Sequence, residues 1–252
     1  MSGHSKWHTI KHKKAAADSK RGKIFTKLIR EITVAAKAGG GKIETNPRLR
    51  LVVDKAKAAN MPQDNIERAI KKGTGELPGV LYEEISYEGY GPNGVAVIVE
   101  ALTDNKNRTT SEVRSIFTKK GGNMAGAGSV SWMFEKKGYI QIEKGAMDEE
   151  ALMGLVIETG AEDFTLEGQL YEIKTSSQDF EKVKKAIEDK HIKIEEANIG
   201  LIPKSTVKIT NESMAKQVIS LTEALEDNED VQEVYANFDI PDDILEKVSS
   251  EE

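Results

Sequence analysis

Apolar positions recur with helical spacing in the first third of the chain and mostly with the alternation of strands beyond it. Phe25, Leu28, Ile29, Ile32 and Ala36 fall at i, i+3, i+4, i+7 and i+11, a single stripe that predicts a helix beginning near Asp18. Gly39, Gly40 and Gly41 stop it, because glycine readily takes the left-handed cap conformation. Asn46 followed by Pro47 reads as a capping residue and a first helical position, opening a second helix to about Asn60 with Leu49, Val52, Val53 and Ala56 inward. Pro62 opens a third, with Ile66, Ala69 and Ile70 inward and Gly73 as its terminator. Matching stripes on short helices predict a small bundle. The segment GTGELPG, residues 73–79, is a linker by composition.

From there the period changes. EISYEGYG (84–91) and VAVIVEAL (95–102) read as strands joined through Pro92-Asn93-Gly94, a hairpin by residue type. Residues 108–120 are helical, a glycine-rich loop follows, and SVSWMFE (129–135) alternates like a strand. From Gly138 the order is strand, helix (149–158), strand, strand, helix (179–189), strand (192–202), the β-α-β-β-α-β sequence of a ferredoxin-like unit. A helix (212–227) and a strand (231–238) remain. Their economical place is the sheet of residues 80–135, which makes the ferredoxin-like unit an insertion; the alternative is a sequential third domain with its own tail. Residues 241–252 are acidic and read as a frayed end. The fold class expected is α+β: a basic helical domain with an N-terminal arm (1–73), an α+β domain (80–135 plus 205–240) and a ferredoxin-like α+β domain (138–202).

Charge sharpens this division. The chain of 252 residues has a net charge of −6, but residues 1–73 hold 18 Lys and Arg against 6 Asp and Glu, while the remainder holds 18 against 36. A polyanion is attracted by the first part and repelled by the second. On the helix from Asp18, residues Lys20, Lys23, Lys27, Arg30 and Lys37 project nearly opposite the apolar stripe at about 100° per residue, a basic ridge behind a packing face. A merely solvated lysine face normally carries interspersed acids. Here only Asp18 and Glu31 interrupt eleven bases up to Lys42.

Other chemistry is sparse. The absence of cysteine excludes disulfides, thiolate metal sites and cysteine nucleophiles. No run approaches the roughly 18 apolar residues of a membrane span, and charges stand where a signal peptide has its apolar stretch, so a soluble cytoplasmic protein without membrane contact is expected. His4, His8 and His12 share a helical line, yet no carboxylate joins them and Lys6, Lys11, Lys13 and Lys14 repel a cation, which favours donors on a phosphate-contacting arm over a metal site. Trp7 either stacks on an unpaired base or pins the arm to the bundle, the second being the simpler reading. Gly39-Gly40-Gly41-Lys42 fails as a phosphate-binding loop because Ala36 and Ile43 occupy the positions that need Gly and Ser or Thr. KKGGNMAGAGS (119–129) lacks the order of a dinucleotide fingerprint and reads as a connector or as a loop reaching a ligand. Neither HExxH nor GxSxG occurs, so neither an enzyme nor a bound cofactor is expected.

Three long segments, GHSKWHTIKHKKAAADSKRGKIFTKLIREITVAAKAGGG, NPRLRLVVDKAKAANMPQDNIERAIKKGTGE and YEGYGPNGVAVIVEALTDNKNRTTSEVRSIFTKKGGNMAGAGSVSWMF, resemble the YebC family, whose relatives include the mitochondrial translational activator of cytochrome c oxidase. The resemblance implies a cytoplasmic, non-enzymatic protein of three domains, described as a probable transcriptional regulator that binds DNA. Some members are instead understood as ribosome-associated translation factors that relieve stalling at proline-rich stretches. It also supports a nucleic-acid surface made of Lys6, Lys11, His12, Lys13, Lys14, Lys20, Lys23, Lys27, Arg30, Arg48 and Arg50. The family usually has Ala-Asn after the tryptophan, where this chain has His8-Thr9, so the middle histidine falls outside the family pattern and a metal site is disfavoured further. The expected partner is DNA, or ribosomal RNA in the alternative, with the acidic domains orienting a monomer or recruiting a protein.

Overall fold

The computed structural model describes residues 18–250. Its compact units are residues 132–205 and, separately, the described residues 18–131 with 206–250. The architecture is α+β, three helices followed by two four-stranded antiparallel sheets and a two-stranded parallel pair.

Helix α1 (Asp18–Gly39), α2 (Pro47–Ala58) and α3 (Gln63–Thr74) form the opening bundle. Leu28, Ile32, Ala35 and Ala36 of α1 are buried with Leu49, Val52, Val53 and Ala56 of α2 and Ile66 and Ala69 of α3. Asn46 ties two of these helices together: its Oδ1 accepts from the Leu49 amide at 3.1 Å, while its Nδ2 donates to the carbonyls of Ala35 and Gly40, both at 2.8 Å. It thus caps the start of α2 and at once holds a carbonyl in the last turns of α1 and the one just past its end. Gly73 does not terminate α3 as its type suggests; Gly75 does, at φ 82°. Gly73 is needed for approach instead, since a Cβ there would lie 2.4 Å from the Thr33 carbonyl oxygen of α1.

Strands β1 (Glu83–Tyr90) and β2 (Ala96–Thr103) pair as a hairpin around Pro92–Gly94, where Asn93 and Gly94 take positive φ. Helix α4 (Lys106–Lys119) leads to β3 (Asn123–Ala125), which adds to the free edge of β1. The second unit follows: β4 (Phe134–Glu143), α5 (Glu149–Thr159), β5 (Ala161–Glu167), β6 (Leu170–Ser176), α6 (Phe180–Asp189) and β7 (Ile194–Pro203). Its sheet order β5-β6-β4-β7, antiparallel throughout, is ferredoxin-like. The chain then adds β8 (Val207–Lys208), α7 (Glu212–Glu226), β9 (Val231–Ala236), β10 (Phe238–Asp239) and α8 (Asp242–Ser250). Because β9 pairs with β2, the first sheet reads β3-β1-β2-β9 and the ferredoxin-like unit is inserted between its members.

Two local expectations are corrected. The strand read at 129–135 begins only at Phe134, after a tight turn at Ser131–Met133. The amides of Val130 and Ser131 donate to the Glu88 carboxylate and so cannot join a ladder. The acidic end is not frayed over its described part: Ile244, Leu245 and Val248 share one helical face and are buried in the core of the first sheet. Acidic composition masked an amphipathic helix.

Candidate nucleic-acid interface

The ridge on α1 has two different halves. Lys23, Lys27 and Arg30 meet the turn between α7 and β9. Lys23 Nζ lies 3.3 Å from an Asp227 carboxylate oxygen, both well exposed, a contact of little energetic weight. Lys27 Nζ donates to the Glu226 carbonyl at 2.7 Å, placing a cation on the C-terminal end of α7, where the helix dipole is negative.

Arg30 goes further. Its Nη1 donates to Asp230 Oδ1 at 2.7 Å and to the Glu229 carbonyl at 2.5 Å, and its guanidinium lies 5.5 Å from the centre of the Tyr82 ring. The side chains of Arg30 and Asp230 are only 13% and 4% exposed, so this pair is internal. Asp230 Oδ2 accepts from Arg108 at 2.7 Å, from the Thr109 hydroxyl at 2.6 Å and from the Thr103 hydroxyl at 3.1 Å. Burial pushes the Asp230 carboxyl up, but the hydrogen bonds from Arg108 and Thr109 and the charges of Arg108 and Arg30 outweigh it and hold it below its ordinary value. Arg30, expected on a nucleic-acid surface, is therefore a bolt between the bundle and the sheet.

The remaining described candidates divide similarly. Arg48 pairs with Glu84 on β1. Arg50 donates through Nη2 to the Glu44 carbonyl at 2.9 Å, bracing the turn that precedes α2. Lys55, not among the expected residues, reaches Glu233 of β9 at 3.9 Å. Between them, half-buried Glu31 has its carboxyl raised by burial and by Glu233 and Glu100, against the pull of Lys55 and Arg48. Lys20 lies in the first turn of α1, while Lys6, Lys11, His12, Lys13 and Lys14, and with them Trp7 and the line of His4, His8 and His12, lie outside the described residues. Among the described residues no group of three His, Cys, Asp or Glu could hold a metal ion.

The other half of the ridge is open. Lys37 in the last turn of α1 and Lys71 and Lys72 in the last turn of α3 are exposed. Gly73 brings the two helix ends together, and Lys37 and Lys72 line a cleft of about 150 Å³ with Thr33, Thr74 and Tyr82. Lys71 and Lys72 were countable in the sequence, but a ridge read on one helix could not show that a second helix end would join it.

The glycine-rich loop contains no open anion cradle at its end. Glu88 Oε1 accepts from the Gly128 amide at 2.8 Å, and Oε2 accepts from the amides of Val130 at 2.7 Å and Ser131 at 2.9 Å. These amides already hold an internal carboxylate. Burial raises the Glu88 carboxyl, yet those three N–H groups, with the Ser131 hydroxyl, lower it more.

Comparison with known proteins gives this arrangement a context. A probable transcriptional regulatory protein of Persephonella marina is 58% identical over 250 residues, covering 99% of this chain and all of the relative. One of Desulforapulum autotrophicum is 59% identical over 246 residues, 98% of this chain and 99% of the relative. The crystal structure of a conserved hypothetical protein from Aquifex aeolicus superposes with a TM-score of 0.81 at 53% identity, over 89% of this chain and 93% of that one. No described helix is long and apolar enough to cross a membrane. Residues 5–76 match the TACO1/YebC protein N-terminal domain and residues 82–238 the TACO1/YebC second and third domain, so the chain belongs to the TACO1/YebC family.

Proposed function

We propose that this chain is a non-catalytic, DNA-binding regulatory protein that grips phosphates through the N-terminal arm, Lys20 and the open end of the bundle formed by Lys37, Lys71 and Lys72. The observation that carries this reading is the convergence of exposed lysines from two helix ends on a module whose first 73 residues hold three times as many bases as acids. The names of the relatives support a regulatory role. Lysines supply sequence-independent phosphate contacts and need only share a side. Arg30 serves this surface from behind, by holding α1 against the acidic turn so that the ridge presents its far end.

Crosslinking the full chain in cells and sequencing the bound nucleic acid tests the reading. Discrete DNA peaks are expected. Enrichment of ribosomal RNA without DNA peaks would replace it with a translational role.

A further inference from the structure

A second lysine cluster lies on the acidic part of the molecule, where the charge balance gives no reason for one. An open cleft of about 730 Å³ runs between the end of α4 and the first turns of α7, lined by Lys119, Lys120, Ser213, Lys216, Gln217 and Ser220, with Glu212 also on its wall. Ser213, Lys216, Gln217 and Ser220 stand at i, i+3, i+4 and i+7, one polar stripe along α7. Lys120 Nζ donates to the Ser220 hydroxyl at 2.7 Å rather than to a carboxylate, and Glu212 is drawn to Lys247 at 3.5 Å. Lys119 and Lys120 complement the negative end of α4, but Lys216 sits near the positive end of α7 and gains nothing from its dipole.

We infer that this cleft is a second contact for the phosphate backbone of a nucleic acid. The stripe rises about 10 Å, the axial distance over which one strand of a duplex presents about three phosphates. Lysine for charge with serine and glutamine as neutral donors is the residue mixture that holds phosphate and sugar oxygens. Contacts to phosphate and sugar oxygens carry no sequence information, so the contact adds affinity and salt dependence without sequence preference. It also gives a chain whose larger part is acidic a place where a polyanion can lie against that part. The inference rests on the proposed nucleic-acid binding but on different residues.

Binding of a fluorescein-labelled DNA duplex is measured across a salt series for three full-length proteins: wild type, the cleft variant Lys119→Glu, Lys120→Glu, Lys216→Glu, and the bundle variant Lys37→Glu, Lys71→Glu, Lys72→Glu. Loss of the cleft contact is expected to weaken binding by about tenfold or more and to lower the slope of log K against log salt by about 2 to 3. A cleft variant matching wild type in affinity and slope, beside a weakened bundle variant, overturns the cleft and leaves the proposed function standing. The reverse pattern retains the cleft and overturns the bundle surface. No binding by wild type, or no change in either variant, removes both. If the charge-reversed cleft protein does not fold, the triple glutamine variant decides by the same readings.

Discussion

Two stretches of one helical ridge carry the same residue types to different ends. From Lys23 to Arg30 the ridge faces Glu226, Asp227 and Asp230, and its charge is spent on joining the bundle to the sheet. At Lys37, about 10 Å further along α1, it shares a cleft with Lys72 of α3, and both stay exposed. Part of the acid in the body of the chain is therefore the counter-charge of its own basic module. An excess of lysine and arginine measures what must be neutralised; only the fold shows what has been neutralised already.

The largest effect is expected at Asp230. Asp230→Ala leaves the buried Arg30 guanidinium without its carboxylate and takes the shared carboxylate acceptor from the Thr109 and Thr103 hydroxyls. Breaking a buried pair by removing one partner costs about 3 to 5 kcal/mol. Urea denaturation should show the loss, and a change below about 1 kcal/mol would mean the docked half of the ridge is no more than surface pairing. The same carboxylate sets a pH dependence. Its folded pKa lies below its ordinary value, as does that of Glu88, so both contribute stability that is complete above the unfolded values near 3.8 and 4.5 and lost as pH falls through the lower folded values. The urea midpoint of the wild type should drop between about pH 5 and pH 3, and Asp230→Asn should flatten part of that drop.

A change at Arg30 separates the two halves by kind of effect. Arg30→Gln removes an internal donor set and should cost about 2 to 3 kcal/mol of stability, yet leave the slope of log K for DNA against log salt unaltered, since the Arg30 guanidinium is engaged by the acidic turn and largely covered. A shallower slope in the folded variant would return Arg30 to the binding surface and dissolve the distinction drawn between the halves.

Much of this fold was legible because its elements are locally consistent. The stripe of α1, the Asn46-Pro47 start of α2 and the Pro92–Gly94 hairpin are fixed by residues within a few positions of one another. The return of β9 to β2 was inferable because an unpartnered strand needs a sheet. The misreadings involve partners distant in sequence. Residues 129–133 alternate like a strand, but Glu88, some forty positions earlier, takes the amides of Val130 and Ser131. Arg30 has the phase of a solvent residue on α1 and is claimed by an aspartate 200 positions away. Helical phase says which way a side chain points, and charge says what it seeks; neither says that another part of the chain arrives first.

The smallest test concerns a flaw in the docked half. Glu31 is an acid on the basic helix, facing Glu100 and Glu233 as well as Lys55 and Arg48, and its carboxyl is raised, chiefly by burial. A raised carboxyl is one whose ionised form is less welcome in the folded protein than in the unfolded chain, so at neutral pH its charge opposes folding, and this cost fades as pH falls and the folded group takes up a proton. Glu31→Gln keeps the shape and removes the charge. It should raise the thermal midpoint at neutral pH by an amount worth less than about 1 kcal/mol, and the gain should vanish below about pH 4, where the wild-type group is protonated as well. A lower midpoint at neutral pH would show that the pull of Lys55 outweighs burial, and that even this acid belongs to the complementarity that holds the bundle in place.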